Sequence, residues 1–270
     1  MTDQHAKEYS LLPFAICQEW QLQVGYERSF KVQSGKVLSN RYLIGIPTEQ
    51  LTSDRAREIA RRLAMPEIDE RLFWGLYPNA NLLLIGFEDS EPGCVYKLYL
   101  EFDDQPISVN SGQGADQRLL HRGVKWNVTG SSNWRISDYR WHPGMATDEI
   151  SHRINSILAG TMIEHPINDL VNHATANIDG DQLRYLEVVE GNRRSFDLNL
   201  YASGLPVLSV MDYCRHAGAG LGASMEPFDQ LESIVGRQLL GHLAAGLDSK
   251  GNDFFTVYYD ATASSESVSG

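Results

Sequence analysis

The sequence predicts an α+β fold in which ten antiparallel strands close into a β-barrel with helices around it. Five pairs of β-prone segments, each pair separated by a short turn signal, account for ten strands. Helix-like segments lie between most of these pairs, and the second strand of each pair carries a basic residue, a tyrosine or both. Closure into a barrel would remove exposed strand edges and leave a lumen wide enough for a ligand.

The five predicted hairpins share one layout of strand, short polar turn and strand. Their strand pairs are 26–32 with 36–44, 81–87 with 95–102, 124–128 with 134–139, 182–189 with 195–201, and 239–247 with 253–259. Helices are predicted at 48–63, 146–158, 163–176, 206–219 and 227–236. Residues 1–262 are therefore expected to form a single domain, with a polar loop over 103–122 and a disordered Ser-rich tail over 263–270.

The first hairpin is expected to bring two opposite charges together. The Gln-Ser-Gly stretch fits a three-residue loop with Gly35 in the left-handed conformation. Such a loop would place Glu27 directly across from Arg41 on one face of the hairpin. On an open sheet this would be a surface ion pair. On a face that lines a cavity, it would be a base beside an anion-binding group.

Composition excludes several classes of function. The net charge of −12 argues against non-specific binding to nucleic acid or anionic membranes. No apolar run approaches the length of a membrane span, the first residues do not form a signal peptide, and three scattered cysteines make neither a disulfide framework nor a metal motif. We expect a cytoplasmic, monomeric protein that binds neither nucleic acid nor a membrane.

The first hairpin contains, in order, Glu27, Ser29, Lys31, Lys36 and Arg41-Tyr42. In this pattern it resembles the cyanobactin peptide prenyltransferases, a group within the ABBA prenyltransferases. The second hairpin is similar as well, including Lys97, at the position of the family's diphosphate-binding lysine. In ABBA enzymes, repeated α-β-β-α units form a ten-stranded antiparallel barrel whose lumen is the active site, so the resemblance implies the same fold here.

The resemblance also implies roles for individual residues. Glu27 would be the general base toward the acceptor, and Arg41 and Lys97 would bind the diphosphate of an allylic donor. The strand-end tyrosines that would screen the allylic cation are Tyr139, Tyr201, Tyr258 and Tyr259. Magnesium, the implied cofactor, would be held mainly by the diphosphate oxygens and water, so no metal-binding residues are expected in the sequence.

Two positions bear on the substrates. Glu101 stands where the family commonly has an arginine, so either Arg135 or Arg194 replaces that arginine, or Glu101 belongs to the acceptor site. Glu101 and the acidic surplus also suggest a cationic acceptor such as arginine. The bulky Tyr185 in the fourth hairpin favours a five-carbon donor.

These features lead to a hypothesis of a peptide prenyltransferase. It would move a dimethylallyl or geranyl group from an allylic diphosphate to a Tyr, Trp, Arg or His side chain of a ribosomal, macrocyclic peptide. One alternative is an ABBA enzyme that acts on a small aromatic such as an indole or phenol. Another is a non-catalytic barrel that binds a hydrophobic ligand. Three histidines, His142, His165 and His242, are candidates for a place near the acceptor.

Overall fold

A computed structural model describes residues 3–90, 93–103, 105–109, 117–128, 134–178 and 180–262. Its strands are β1 Gly25–Gln33, β2 Lys36–Pro47, β3 Leu82–Glu88, β4 Val95–Glu101, β5 Ile107–Val109, β6 Gln117–Asn127, β7 Trp134–Trp141, β8 Arg184–Val189, β9 Arg194–Asn199, β10 Leu240–Leu247 and β11 Asp253–Thr262. They form one antiparallel sheet in the order β4-β3-β2-β1-β11-β10-β9-β8-β7-β6-β5, and pairing of β4 with β6 closes ten of them into a barrel. The predicted fold class is therefore confirmed, and the short β5 pairs with β6 outside the closed ring.

Helices cover the outside of the barrel. They are α1 Asp3–Glu19, α2 Ser53–Arg62, α3 Thr147–Leu158, α4 Glu164–Thr175, α5 Met211–Gly220 and α6 Glu226–Val235. One apolar cluster joins α3 to α6 with the outer faces of β8 to β11, and a second joins α1 and α2 with those of β2 to β6. Because side chains alternate between the two faces of a strand, these outer cores leave the other face of each strand to line the lumen.

The structure matches most predicted elements and corrects three. The predicted helix 48–63 is a 3-10 turn at Thr48–Gln50 followed by α2, which starts where Thr52 accepts a hydrogen bond from the Arg55 amide at 3.3 Å. Helix α1 has no counterpart among the predictions, since it contains Pro13, a residue that normally interrupts helices. The expected loop 103–122 contains β5 and the first half of β6, because ladder pairing with β5 and β4 stabilises this polar stretch. The predicted tail 263–270 lies outside the described residues.

The turn of the first hairpin has two residues rather than three. Gln33 pairs with Lys36, so Ser34 and Gly35 alone make the turn, with φ angles of 49° and 77°. Positive φ at both central positions is the geometry of a type I′ turn, which matches the twist of the flanking strands. The predicted left-handed conformation of Gly35 is confirmed.

A β-bulge then changes the register of this hairpin. Ser29 lies opposite Arg41, and Glu27 lies opposite Leu43, so the predicted direct pairing of Glu27 with Arg41 is wrong. The shift by one residue in β2 nevertheless compensates for the even-numbered turn. Glu27 and Arg41 therefore share the lumen face, although they are displaced along the strands.

Among the described residues, no helix has the length and apolar character needed to span a membrane.

Candidate functional site

The barrel lumen contains two cavities that meet at three tyrosines. One cavity, of about 420 Å³, lies at the end of the barrel where the hairpin turns are; we call it the basic chamber. The other, of about 350 Å³, lies at the opposite end of the strands; we call it the acidic chamber. Tyr99, Tyr139 and Tyr258 line both, and we call them the tyrosine layer.

The basic chamber is rich in cationic side chains. The described lysines and arginines that line it are Lys31, Lys36, Arg41, Lys97, Lys125, Arg135, Arg193 and Lys250. The described carboxylates that line it are Glu88, Glu190 and Asp248. The excess of positive charge in a partly enclosed space suits an anionic ligand with several charges.

Glu88 holds two of these cations in place. Its Oε2 accepts hydrogen bonds from Arg41 Nε at 2.9 Å and from Lys97 Nζ at 2.8 Å, and Arg41 also donates to Ser29 Oγ at 3.0 Å. Burial alone would raise the pKa of Glu88, but Lys97, Arg41 and Lys31 hold that pKa well below its usual range. Glu88 is therefore ionised, and it fixes Arg41 and Lys97 with donors left over for a ligand.

Glu190 organises a second group of cations in the chamber. Its Oε2 accepts from Lys125 Nζ at 2.9 Å, from Ser137 Oγ and from Arg193 Nη1 at 3.5 Å. Arg135 lies farther out, with Nε 3.6 Å from Glu190 Oε1 and half of its side chain exposed. Lys125 is the cross-strand partner of Lys97, so the groups around Glu190 and Glu88 adjoin each other.

Two lysines of this chamber, Lys31 and Lys125, lie in an environment that disfavours their charge. Burial, with contributions from Arg193 and Lys97, lowers the pKa of Lys125 to about 7. Burial likewise lowers the pKa of Lys31 to about 8, with Arg41 and Lys97 contributing. Cations that are both desolvated and crowded gain most from a bound anion, because the anion restores the lost stabilisation of the charged form.

Glu27 is buried in the acidic chamber and belongs to a partly buried chain of hydrogen bonds. His242 Nε2 lies 3.0 Å from Glu27 Oε2, and His242 Nδ1 lies 2.8 Å from Asp197 Oδ1. Tyr201 donates its hydroxyl proton to Glu27 Oε1. The backbone of Gly241 makes room for this arrangement, since a Cβ there would lie 2.7 Å from Glu27 Oε1.

His242 is a partly buried imidazolium between two carboxylates. Burial opposes its charge, but Asp197 and Glu27 outweigh burial and raise the pKa of His242 well above its usual range. The ring also stacks on Tyr258 of the tyrosine layer, with centroids 3.8 Å apart and planes at 7°. This stack connects Glu27 and its partners directly to the boundary between the chambers.

The tyrosine layer is packed edge to face. The rings of Tyr99 and Tyr139 have centroids 5.9 Å apart at 75°. Tyr99 lies over the backbone of Gly123, its partner across β4 and β6, where a Cβ would lie 2.3 Å from the Tyr99 ring. Glycine at this position therefore allows Tyr99 to occupy the middle of the lumen.

Eight of the predicted site residues line these chambers. In the acidic chamber are Glu27, Glu101 and Tyr201; in the basic chamber are Arg41, Lys97 and Arg135; in the tyrosine layer are Tyr139 and Tyr258. Glu27 and Arg41 make no salt bridge, because they lie in different chambers. Of the alternatives for Glu101, the structure places this residue in the acidic chamber.

Three predicted site residues do not reach the lumen. Arg194 points outward and donates to the backbone oxygens of Ser156 and Ile157 near the end of α3 at 3.2 and 3.1 Å. Tyr259 and Tyr185 are buried in the outer core beneath α3 to α6. The reason is that side chains alternate between the two faces of a strand, and the sequence alone does not tell which face points inward. The neighbouring residues Arg193, Tyr258 and Leu186 line the cavities instead.

The sequence analysis missed several residues of the site. It assigned no role to Asp197, Lys125 or Arg193, and it considered His242 only as one of three histidines. Of the others, His165 is exposed on α4 and His142 packs beside Tyr185 with ring centroids 5.6 Å apart. Knowledge of which strands pair, and in which register, would have shown that Asp197 on β9 points to the same face as Tyr258 on β11. The sequence alone does not give that pairing.

The donor set of the basic chamber does not suit a divalent cation. Glu88 and Glu190 are each engaged by lysine and arginine, and no group of three potential ligands is found among the described residues. Because Mg²⁺ requires oxygen ligands, an ion here would be held by ligand phosphates and water.

Comparison with solved structures identifies similar barrels. AnaPT from Neosartorya fischeri has a TM-score of 0.54 and 13% identity over 88% of this chain and 78% of that chain. The 6-dimethylallyltryptophan synthase from Micromonospora olivasterospora, in complex with DMASPP and Trp, has a TM-score of 0.55 and 12% identity over 87% and 81%. The prenyltransferase PriB, in a ternary complex with L-tryptophan and dimethylallyl thiolodiphosphate, has a TM-score of 0.54 and 13% identity over 87% and 79%.

No protein-family model and no curated protein matches the sequence. At the identities above, the structural similarity establishes the fold. The chain therefore has the ten-stranded antiparallel barrel of the ABBA prenyltransferase structures.

Proposed function

We propose that this protein transfers a prenyl group from an allylic diphosphate in the basic chamber to an acceptor in the acidic chamber. The observation that carries the proposal is the tyrosine layer, whose three rings line both a cationic pocket and a pocket that contains the carboxylates of Glu27 and Asp197. Prenyl transfer needs these three environments in this order. The similar barrels of known prenyltransferases support the assignment.

The basic chamber would stabilise the leaving diphosphate. As the carbon–oxygen bond of the donor breaks, negative charge grows on the diphosphate and positive charge on the prenyl carbons. Arg41, Lys97, Lys125 and Arg193 would neutralise the leaving charge from fixed positions, and such preorganised electrostatic stabilisation is usually the largest contribution to catalysis. The arginines would add bidentate contacts.

The tyrosine layer would hold the prenyl cation. Aromatic faces stabilise a nearby cation by about 0.5–2 kcal/mol each. Tyr99, Tyr139 and Tyr258 would also exclude water, which would otherwise capture the cation. The His242 ring on the far side of Tyr258 would prevent this tyrosine from turning away.

Glu27 would remove the proton from the acceptor. A bond forms between the prenyl carbon and the nucleophilic atom of the acceptor, the bond to diphosphate breaks, and the acceptor proton passes to a carboxylate oxygen of Glu27. A positioned base of this kind contributes about 10²–10⁴-fold. His242 would act as a positioning residue, because it holds Glu27 through one oxygen while Asp197 holds the imidazolium.

The ligands of the compared structures favour a small aromatic acceptor. Two of these structures contain tryptophan, which supports an indole over a peptide. A peptide acceptor is the second candidate, and the match of the first hairpin to the cyanobactin group favours it. The donor remains dimethylallyl or geranyl diphosphate, because Tyr185 lies outside the lumen and does not limit chain length. A cytoplasmic location and a monomeric state remain predictions.

Mass spectrometry of reaction mixtures tests the proposal. The protein is incubated with dimethylallyl or geranyl diphosphate, with and without magnesium, and with either small indoles and phenols or cyclic peptides carrying Tyr, Trp, Arg and His. We expect a mass gain of one prenyl unit that is lost with Glu27→Gln, while the variant still binds the donor. If the donor binds but no acceptor is modified, the barrel is a binding protein and the proposal is wrong.

A further inference from the structure

We propose that the acceptor carries an ammonium or guanidinium group and no free carboxylate, and that this cationic group binds Glu101 in the acidic chamber. This inference rests on the proposed function, because it names the chemical class of molecule that the chamber receives. It concerns a side chain to which the transfer reaction itself assigns no role.

The acidic chamber has more negative than positive charge. Its described carboxylates are Glu27, Glu101, Asp103 and Asp197, whereas its described cations are Arg184 and the His242 imidazolium. Arg184 pairs with Asp103, and His242 is shared by Glu27 and Asp197. After these pairings one negative charge remains on the Glu27 chain, and Glu101 adds a second when it is ionised.

Glu101 has no cationic partner among the residues described. Its recorded ion-pair partner is His121, whose Nδ1 lies 3.3 Å from Glu101 Oε2. Burial lowers the pKa of His121 to about 4, so this imidazole is neutral at physiological pH. The same Nδ1 is buried and makes no hydrogen bond within the part of the chain that the structure describes, and the ring packs edge-on against Tyr139. The Glu101 carboxylate therefore borders an open cavity beside a neutral imidazole. A cationic group bound in that cavity would pair with the carboxylate and offset the cost of burying its charge.

The groups around Glu101 determine how it would respond to pH. Burial, with a smaller contribution from Asp103, raises the pKa of Glu101 to about 7, while Arg184, Asn81 and His242 act in the opposite direction. Tyr201 and His121 complete its surroundings. A bound cation would favour the ionised carboxylate, so below pH 7 binding of the cation should release a proton.

The chamber also discriminates against carboxylates on the acceptor. Arg184, the described arginine that lines it, is already engaged by Asp103 at the open end. A free amino acid would therefore place its carboxylate near Glu27, Glu101 and Asp197 without a free cation to meet it. Tyr99 and Tyr139, in contrast, offer aromatic faces to an ammonium or guanidinium.

Binding of matched pairs of ligands tests the inference. One pair is tryptamine and its neutral derivative N-acetyltryptamine; the other is a capped arginine peptide and the same peptide with citrulline. We expect the wild-type protein at pH 7.5 to prefer the cation in at least one pair by about tenfold or more, as for hydrogen bonds to charged groups. Glu101→Gln should abolish that preference. The matched control Glu67→Gln, which removes an exposed carboxylate, should retain it.

A second readout measures the proton. Calorimetric titrations at pH 6.5 in two buffers of different ionisation enthalpy should show proton release on binding of the cation to the wild type, and none with Glu101→Gln. Equal binding of cation and neutral partner in both pairs would overturn the inference, as would a preference that survives Glu101→Gln. The binding result decides the inference whether or not transfer occurs, whereas failure of prenyl transfer would overturn the proposed function.

Transfer assays then show whether the acceptor's positive charge is the ammonium of an aromatic amine or the guanidinium of an arginine peptide. Prenylation of tryptamine, but not of the arginine peptide, would indicate an aromatic amine as acceptor. Prenylation of the arginine peptide would indicate a guanidinium. Faster transfer to free tryptophan than to tryptamine would contradict the inference while leaving prenyl transfer in place.

Discussion

His242 Nε2 lies 3.0 Å from Glu27 Oε2 in the lumen of the barrel, although the two residues are 215 positions apart in the chain. They meet because β1 and β10 are both neighbours of β11 in the closed sheet. Asp197 on β9 continues the chain of hydrogen bonds. A carboxylate that the first hairpin alone suggested as a base is thus held by residues from the last two hairpins.

Replacement of His242 by glutamine should slow transfer without weakening donor binding. His242 holds Glu27 in place through its Nε2, so its loss should lower kcat by about 10–100-fold. The KM for the donor should stay the same, since the proposed donor site is the basic chamber. His165→Gln on α4 is the control. A rise in the donor KM that accompanies the loss of kcat would indicate a purely structural role.

The same residue should affect stability in a pH-dependent way. Because the pKa of His242 is raised in the folded state, its contribution is fully present below its usual pKa and is lost as pH rises through the raised value. The difference in free energy of unfolding between the wild type and His242→Gln should therefore be largest in mildly acidic solution and smaller at alkaline pH. Denaturant titrations at several pH values measure it.

Adjacent arginines provide a matched test of the basic chamber. Arg193 lies in this chamber beside Glu190, whereas Arg194 binds backbone oxygens near α3. Arg193→Ala should weaken binding of a non-reactive donor analogue by about 10–100-fold, because a charge-assisted contact is lost. Arg194→Ala should leave donor binding unchanged in calorimetry. Equal effects of the two variants would argue against the assignment of the chamber.

Donor binding should also depend on pH. Lys125, with a pKa lowered to about 7, and Lys31, with a pKa lowered to about 8, lose their charge as pH rises through these values. A bound diphosphate favours the protonated lysines, so affinity should fall between about pH 7 and 9, and binding should take up protons within that range. Titrations of the donor analogue in two buffers at pH 7.5 detect this uptake. Proton release would contradict the expectation.

Tyr258 and Tyr259 should behave differently. Tyr258→Leu removes one face of the tyrosine layer, so the allylic cation should be captured by water more often, which is measured as prenyl alcohol formed per transfer product. Tyr259→Phe should leave this ratio unchanged. Because the Tyr259 hydroxyl is buried and has no hydrogen-bond partner among the described residues, the variant should be as stable as the wild type or more stable by about 1 kcal/mol.

The fold followed from local signals in the sequence. Turn residues between β-prone segments identified five hairpins, and ten strands with covering helices led to a closed barrel. The ends of helices were predictable where a cap residue such as Thr52 precedes them. Helix α1 was not predicted, and it contains Pro13, a residue that disfavours the interior of a helix.

The site was less predictable, because it depends on which face of each strand points inward. The resemblance of the first two hairpins to a known family pattern predicted Glu27, Arg41 and Lys97 for the lumen, where they lie. Consecutive residues such as Arg193 and Arg194 point to opposite sides of the sheet, so an error of one residue moves a predicted side chain out of the lumen. The β-bulge near Ser29 shows the same limit, since neither its presence nor its effect on register is encoded in the strand pattern.

A crystal structure with dimethylallyl thiolodiphosphate would test the central claim most directly. The account predicts the diphosphate against Lys97, Lys125 and Arg193, with the prenyl chain directed at the tyrosine layer and the acidic chamber beyond it. A diphosphate bound in the chamber of Glu27 and His242, or outside the barrel, would contradict the account.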